Sequence, residues 1–471
     1  MLLHTSTPGK LGIPPKAISD FIDDVNAREL GLHSFILLRH GQIASQAWWK
    51  PYDENLPHQL YSLSKSFTST AVGFAVQEGL LKTDDKVVSF FPEELTNEPC
   101  GYMKNLTVRN LLCMGTGHTR EPLVFLGEKW TNNFLTSYIQ AEPESVFTYN
   151  TPATYMLSRI VQKVTGRTLT EYLTPRLFEP LGIENHRWLQ SPEGTDIGGY
   201  GLNLKTTDIA KFGQFLLNRG NVNGKQILNA EWIDLATSVH ISNGNPEEDN
   251  DWTQGYGFQF WKCKPEGVYR GDGAFGQYCV VMPKQDAVLA ITSGSANIRE
   301  ILKSAWKHLL PAMQSPVPDD GLEALNEKIA FLSIPMPEGG MPKACCEETY
   351  VLSDNKLGIE KISVELKDGK ASLNIDIAAN AHAHRQPDPL IAGAQIPFGY
   401  GHWLEAGEKD YHTMGAYAEN ESGEIIFRFI LVETPFIREI IYKPHGDFAE
   451  FTVRQNVGFF PINMYLIGKK Q

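Results

Sequence analysis

Two runs with the apolar, β-branched and aromatic content of strands, Ser34–Leu38 and Ile43–Trp49, flank Arg39-His40-Gly41-Gln42 near the start of the chain, which predicts a β-hairpin. Strand-like sequence then disappears for two hundred residues and returns after Gln254 as "GYGFQFWKCK", "GVYRGDGAFGQYCVVMPKQ" and "DAVLAITSG". The stretch between reads as helices. A hairpin and three strands separated in this way predict one antiparallel sheet built from both ends of a domain, with a helical insertion between them.

The helices are marked by spacing and punctuation. Ile18, Phe21, Ile22 and Val25 recur at helical intervals within 18–32. Thr107 is placed to cap a helix over 107–113. Pro152 stands in the first turn of a helix over 152–165 that Gly166 stops, and Gly220 stops another over 207–219. A last helix, over 297–312, closes this first domain. Residues 313–345 are rich in Pro and Gly and are expected to be a linker with one short helix. From Thr349 the chain alternates polar and apolar residues around a turn at Lys367-Asp368-Gly369, and "EIIFRFILVETPFIREIIYKP" and "FAEFTVRQNV" continue the pattern. Residues 346–471 are therefore expected to form a second, mostly antiparallel β domain beside a first domain of residues 1–312.

Composition narrows the function. The formal net charge of -13 over 471 residues repels phosphate, and no Lys/Arg cluster overrides it, so nucleic acid is not an expected partner. No apolar run reaches the length of a membrane span. The first residues carry no basic, apolar leader, so the cytoplasm is the expected compartment and membrane association is not expected. Six scattered cysteines without a C-x-x-C pair are expected to be free thiols, not a disulfide framework or a zinc site.

Chemistry enters at "LYSLSKSFTSTAVGF", residues 60–74, where Ser62 and Lys65 stand one helical turn apart just before an apolar run. A hydroxyl at a helix start sits in a field that favours its alkoxide, and the backbone N–H there can hold an oxyanion. A lysine on the same face stabilises the alkoxide as an ammonium, or accepts the proton if desolvation leaves it neutral. The spacing alone does not separate this from a helix cap beside a solvated lysine. It recurs at Ser304–Lys307 and Ser353–Lys356, in a helix and a turn. Two further stretches stand out. "FTYNTPATYM" puts Tyr149 at a helix start, where it would be a proton acceptor if a nearby cation lowers its pKa, or else a core tyrosine. "YRGDGAFGQY" carries Gly271, Gly273 and Gly276, which admit close approach of a ligand or another backbone, or mark a bulge.

In this order, with "LTVRNLLCMGTGH", "LFEPLGI" and "GGYGLNLKTTDIAKFGQFLLN" between and around them, these stretches resemble the serine β-lactamase and penicillin-binding protein superfamily. The closer resemblance is to the branch of class C β-lactamases, D-aminopeptidases, DD-carboxypeptidases and esterases, over about residues 15–312. The resemblance implies an α/β (α+β) fold, an antiparallel sheet flanked by helices, with an all-helical subdomain and the site between them. It implies Ser62 as acylated nucleophile, Lys65 as its activator, and Tyr149 as general base or as acid for the leaving group. The N–H groups of Ser62 and Ala274 would form the oxyanion hole, and Thr151, Gly271, Asp272, Gly273 and Gln277 would line the substrate. No metal or organic cofactor is implied.

Two positions depart from the family pattern. Thr151 stands where Asn is common, and Gly271 stands where Lys or His begins the third motif. Asp272 is a poor substitute, being expected to point to the opposite sheet face, and Arg270 would fill the place only through a bend. An esterase or a peptidase for D-amino-acid peptides is thus expected before a true β-lactamase. A binding protein that kept the fold and lost turnover is the alternative. His118 and the alternating His382 and His384 are expected to be loop residues, not site or metal groups. A small ester, amide or peptide is the expected partner, and a homo-oligomer is compatible with the second domain.

Overall fold

The computed structural model describes all residues except 96–98, 100, 343–344, 368, 379–394 and 408–411. The chain divides into two compact units. The first holds Met1–Trp48, Pro57–Ser293 and Asn297–Phe331, and the second holds Trp49–Leu56, Gly294–Ala296 and Leu332–Gln471.

In the first unit, α1 (Pro15–Ala27) leads into the hairpin of β1 (Leu32–Arg39) and β2 (Gln42–Trp48). The chain then forms α2 (Ser64–Gln77), α3 (Thr151–Thr165) and α4 (Thr206–Leu217). It returns through β3 (Tyr269–Gly273), β4 (Gln277–Met282) and β5 (Ala287–Ser293) to α5 (Ile298–Ser304). The sheet order is β2-β1-β5-β4-β3, with His4–Thr5 added parallel outside β2 and Trp261–Lys262 added outside β3. The hairpin therefore pairs with β5, which follows it by some 250 residues, as the split strand pattern predicts. All eight residues of β1 are buried because both faces are covered: Phe35 meets Phe21 of α1 edge-on at 5.6 Å, while Ile36 and Leu38 join the core with Ile209 and Phe212 of α4.

Capping explains the helix boundaries. Thr107 accepts from the N–H of Asn110 in a reciprocal box, and Asn150 accepts from the N–H of Ala153 at the head of α3. Gly166 ends α3 in the left-handed region. One expected strand is mostly missing. Of "GYGFQFWKCK" only Trp261–Lys262 forms a strand, and Tyr256 makes isolated bridges to Ile241 and Trp261, because Gly255 and Gln259 take positive φ (100° and 66°) and break the extended run. Residues expected to be linker also behave differently. Gln314 and Val317 donate backbone bonds to Gly12 and Gly9, and Asp319 accepts from the Gly9 N–H at 2.7 Å. The helix Leu322–Ala330 follows within the same unit.

The second unit is a β-barrel. Its strands are β6 (Cys346–Leu352), β7 (Ile359–Lys367), β8 (Lys370–Ile377), β9 (Gln395–Tyr400) and β10 (Leu404–Ala406). They continue as β11 (Thr413–Glu419), β12 (Ile425–Leu431), β13 (Ile437–His445), β14 (Phe448–Gln455) and β15 (Asn463–Lys470). The antiparallel order β9-β8-β7-β6-β15-β14-β13-β12-β11 closes through a parallel pairing of β9 with β11, and β10 adds outside β11. Alternation does the sorting: Ile362, Val364 and Leu366 of β7 are buried while Glu360, Glu365 and Lys367 between and around them are exposed. His382 and His384 lie outside the described residues.

Candidate active site

Ser62 sits in a 3-10 turn, Tyr61–Leu63, that runs directly into α2. The first three turns of α2 are buried although they hold Ser64, Lys65, Ser66, Thr68, Ser69 and Thr70. Most of these hydroxyls have identified partners: Ser64 accepts from the Leu202 N–H, Ser66 donates to the Gln259 carbonyl, and Thr68 donates to the Gly198 carbonyl at 2.9 Å. These bonds fix the rotation of the helix and leave Lys65, 1% exposed, directed at Ser62.

The Lys65 Nζ lies 3.0 Å from Ser62 Oγ, 2.7 Å from the Gly199 carbonyl and 3.5 Å from Thr151 Oγ1. Three acceptors suit an ammonium with three donors. Burial works against that charge. It lowers the Lys65 pKa from 10.5 to about 7, with the charges of Glu121 and Asp272 acting in the opposite direction. A neutral amine still donates to Gly199 and Thr151 and turns its lone pair to Ser62.

Tyr149 completes the group. Its ring stacks on Trp261 at 5.4 Å and meets Tyr256 edge-on, and its hydroxyl hydrogen-bonds the Ser62 side chain. Its neighbour Asn150 caps α3 and donates to Thr116 Oγ1, which anchors the segment. The charge of Arg270 acts to lower the phenol's pKa but is outweighed. Lys65 lies over the ring face, 4.9 Å from its centre, and burial with the charge of Asp272 holds the hydroxyl well above its ordinary range. Tyr149 is thus a protonated donor in the resting site.

β3 approaches the turn closely because two of its residues have no side chain. A Cβ on Gly273 would lie 2.1 Å from the Leu60 carbonyl, and one on Gly271 would lie 2.5 Å from both Leu63 Cδ1 and Ser66 Oγ. Ala274 is thereby held beside the Ser62 turn. Two residues next to these points carry left-handed backbone without being glycine: Tyr61 at φ 48° and Phe275 at φ 64°. Their rings pack edge to face at 5.3 Å and 86°.

The expected substrate-lining residues separate into two groups. Thr151 joins the site through Lys65, and its N–H donates to Glu121 Oε1 at 2.6 Å. Gln277 does not face the cleft. It is fully buried, its amide donates to the Ala274 carbonyl at 3.0 Å and the Ser293 carbonyl at 2.7 Å, and it accepts from the Ser293 N–H. Gln277 thus positions Ala274. Asp272 alternates with Gly271 as expected, yet its charge still reaches Lys65 and Tyr149. It pairs with Arg270, whose Nε and Nη2 each lie 2.9 Å from Asp272 Oδ2. Arg270 does not swing into the place of Gly271: it is fully buried and its Nη1 donates to the carbonyls of Asp251 and Lys262. His118 is buried and hydrogen-bonded to Thr116 and Ser137, and burial lowers its pKa to about 4, so it is a neutral support beneath Asn150. Glu121, the Gly199 carbonyl and Trp261 are site groups that the sequence reading missed. Only the Gly198-Gly199 pair offered a signal, a backbone open to close approach.

No group of His, Cys, Asp and Glu among the described residues is arranged to hold a metal ion. No helix among them is long and apolar enough to cross a membrane.

Comparison with known proteins agrees with this architecture. The chain is 21% identical over 313 residues to 6-aminohexanoate-dimer hydrolase of Paenarthrobacter ureafaciens, covering 60% of this chain and 78% of that one. The octameric penicillin-binding protein homologue from Pyrococcus abyssi has the same fold with 17% identity and a TM-score of 0.53, covering 96% of this chain and 99% of that one. EstCE1, a hydrolase with promiscuous acyltransferase activity, aligns with 16% identity and a TM-score of 0.51, over 62% of this chain and 99% of that one. The family described as Beta-lactamase matches residues 22–308, more than half of the chain, and the protein belongs to that family.

Proposed function

We propose that this protein is a serine hydrolase that cleaves a small or medium ester or amide through an acyl-enzyme. The observation that carries the reading is Lys65: a buried amine 3.0 Å from Ser62 Oγ with its pKa lowered to about 7. Neutral Lys65 takes the Ser62 proton as Oγ attacks the carbonyl carbon, and the carbonyl oxygen becomes an oxyanion held by the N–H groups of Ser62 and Ala274. As the tetrahedral centre collapses, the bond to the leaving group breaks, Tyr149 gives that group its proton, and Lys65 returns one to Tyr149. Water then attacks the acyl-enzyme through the same donors and releases the acid. The chain's own residues supply every proton transfer.

Esters and amides are favoured over β-lactams because Gly271 puts no charged side chain in the place of the usual Lys or His, and a Cβ there would lie 2.5 Å from Leu63 Cδ1 and Ser66 Oγ, which would have to shift. The names of similar proteins, an aminohexanoate-dimer hydrolase and an esterase among them, are consistent with this class. A cytoplasmic location is proposed on the five described cysteines, all of them free. Self-association is proposed by analogy with the octameric homologue.

The test is a burst of p-nitrophenol from p-nitrophenyl acetate together with labelling by a fluorophosphonate. Both are expected in the wild type and lost in Ser62→Ala, with Ser304 and Ser353 unlabelled. Labelling that survives Ser62→Ala would remove the reading. Labelling of Ser62 without turnover of any ester, amide or β-lactam would favour a binding protein.

A further inference from the structure

Resting on the hydrolase reading, we propose that Ser293 and Gln277 are positioning residues of the oxyanion hole, a lock of two side chains that aims the Ala274 N–H. The lock begins where the β4–β5 ladder stops. The last backbone rung there pairs Tyr278 with Ile291. Beyond it the Gln277 side chain takes the place of a strand: its Oε1 accepts from the Ser293 N–H at 3.2 Å and its Nε2 donates to the Ser293 carbonyl at 2.7 Å. The same Nε2 donates to the Ala274 carbonyl at 3.0 Å. Ser293 answers with its hydroxyl, which lies 2.6 Å from the Phe275 carbonyl and 3.0 Å from the Gly276 carbonyl. Three successive carbonyls, those of Ala274, Phe275 and Gly276, are thus held by two side chains that are themselves fully buried.

These bonds do more than satisfy acceptors. Ala274 and Phe275 are only half-buried, so folding alone does not require a protein partner for each of their oxygens. What the lock fixes is direction. The turn closes with a bond from the Gly276 N–H to the Gly273 carbonyl, and Phe275, its third residue, takes φ 64°. Turns give that conformation to glycine, and a phenylalanine there relaxes toward negative φ unless its peptide is held. Such relaxation rotates the Ala274–Phe275 peptide and re-aims the Ala274 N–H. A donor to an oxyanion is worth most when it already points to where the charge develops, so the loss falls on the transition state. Gly276 lets the serine approach: a Cβ there would lie 2.3 Å from Ser293 Oγ.

The test compares the wild type with Ser293→Ala, Gln277→Met and the double variant. The substrates are p-nitrophenyl acetate and its thionoester, in which sulfur, a weaker acceptor, replaces the carbonyl oxygen. Each single variant is expected to lower kcat/KM for the oxygen ester by about ten- to a hundredfold, and the oxygen-to-sulfur ratio by about tenfold. The double variant is expected to be no slower than the slower single one, as for groups that act as a unit. The pH midpoint of acylation is expected to stay at about 7, because Lys65 is untouched. Each ratio is taken within one variant, so a partly unfolded preparation does not mimic the result. Where Ser293→Ala does not fold, Gln277→Met alone decides. An unchanged oxygen-to-sulfur ratio overturns the proposal, and so does a fall in rate that comes with a displaced pH midpoint or that adds in the double variant. If neither ester is turned over, the rate of Ser62 labelling by a fluorophosphonate is read instead: slowing by about tenfold in the folded variants supports the proposal, and an equal rate overturns it. Labelling that persists in Ser62→Ala strikes the hydrolase reading itself, not the lock.

Discussion

The lowered pKa of Lys65 makes a quantitative demand on the pH dependence of acylation. Burial brings this amine from 10.5 to about 7. At pH 7 roughly half of the molecules then hold a neutral base, against about 0.03% for an ordinary lysine, a gain of more than a thousandfold in reactive enzyme. The ratio kcat/KM for a neutral ester is expected to rise with an apparent pKa near 7, standing at about a tenth of its plateau at pH 6. Glu121→Gln removes a carboxylate that favours the ammonium. With that charge partly screened, the midpoint is expected to fall by about 0.5–1 pH unit. The assay is initial rates of p-nitrophenyl butyrate hydrolysis from pH 5 to 9.5, corrected for hydroxide. The folded protein binds fewer protons than the unfolded chain between the two pKa values, so Lys65 also makes stability rise with pH from about 7 to 10.5. A rate profile that is flat, or one that rises only above pH 9, would refute the assignment of Lys65 as base. A midpoint that moves up in Glu121→Gln would refute the electrostatic account.

Gly271→Ala is expected to cost about 1–3 kcal/mol by forcing a Cβ against Leu63 and Ser66, read as a lower urea midpoint together with slower acylation; wild-type behaviour would show that the strand has slack there. Truncation after Phe331 is expected to leave a soluble, cooperatively melting first unit, whereas truncation after Met313 removes the contacts of Gln314, Val317 and Asp319 to residues 9–12 and lowers Tm. Equal melting of the two would contradict the packing of that segment. His33 and His58 share a buried hydrogen bond of 3.1 Å, and burial holds His33 well below its ordinary pKa. The unfolded chain therefore binds the extra proton, stability is lost as pH falls below about 6.5, and His33→Gln is expected to flatten that slope in urea titrations at pH 5, 6 and 7.

Much of the scaffold was legible because it is written in local terms. Ile18, Phe21, Ile22 and Val25 repeat at helical spacing, Thr107 and Gly166 mark helix ends, and the alternation of Ile362, Val364 and Leu366 announces a barrel strand. The order of three motifs brought Ser62, Lys65 and Tyr149 together across the chain. What failed depends on distant partners. The Gly199 carbonyl meets Lys65 from 134 residues away and Glu121 meets Thr151 from 30, and neither contact leaves a periodic trace. Gln277 reads as a polar ligand group, but only the fold shows that buried carbonyls of Ala274 and Ser293 consume its amide. The charge state of Tyr149 likewise follows from its burial and from the charge of Asp272, which spacing does not encode.

The edge-to-face contact between Tyr61 and Phe275 has an evolutionary corollary. Each residue holds a backbone conformation that costs a non-glycine side chain about 1 kcal/mol or more, and each ring contact helps offset the cost of the other. Loss of one ring leaves its partner strained without that compensation, at the point where the chain turns into Ser62 or out of Ala274. Single substitutions at either position are then deleterious steps, while paired replacement by glycines, or by another packed pair, passes through no such intermediate if made together. Among descendants of this sequence the two positions should drift as one character, more than two hundred residues apart in the chain and joined only in the fold.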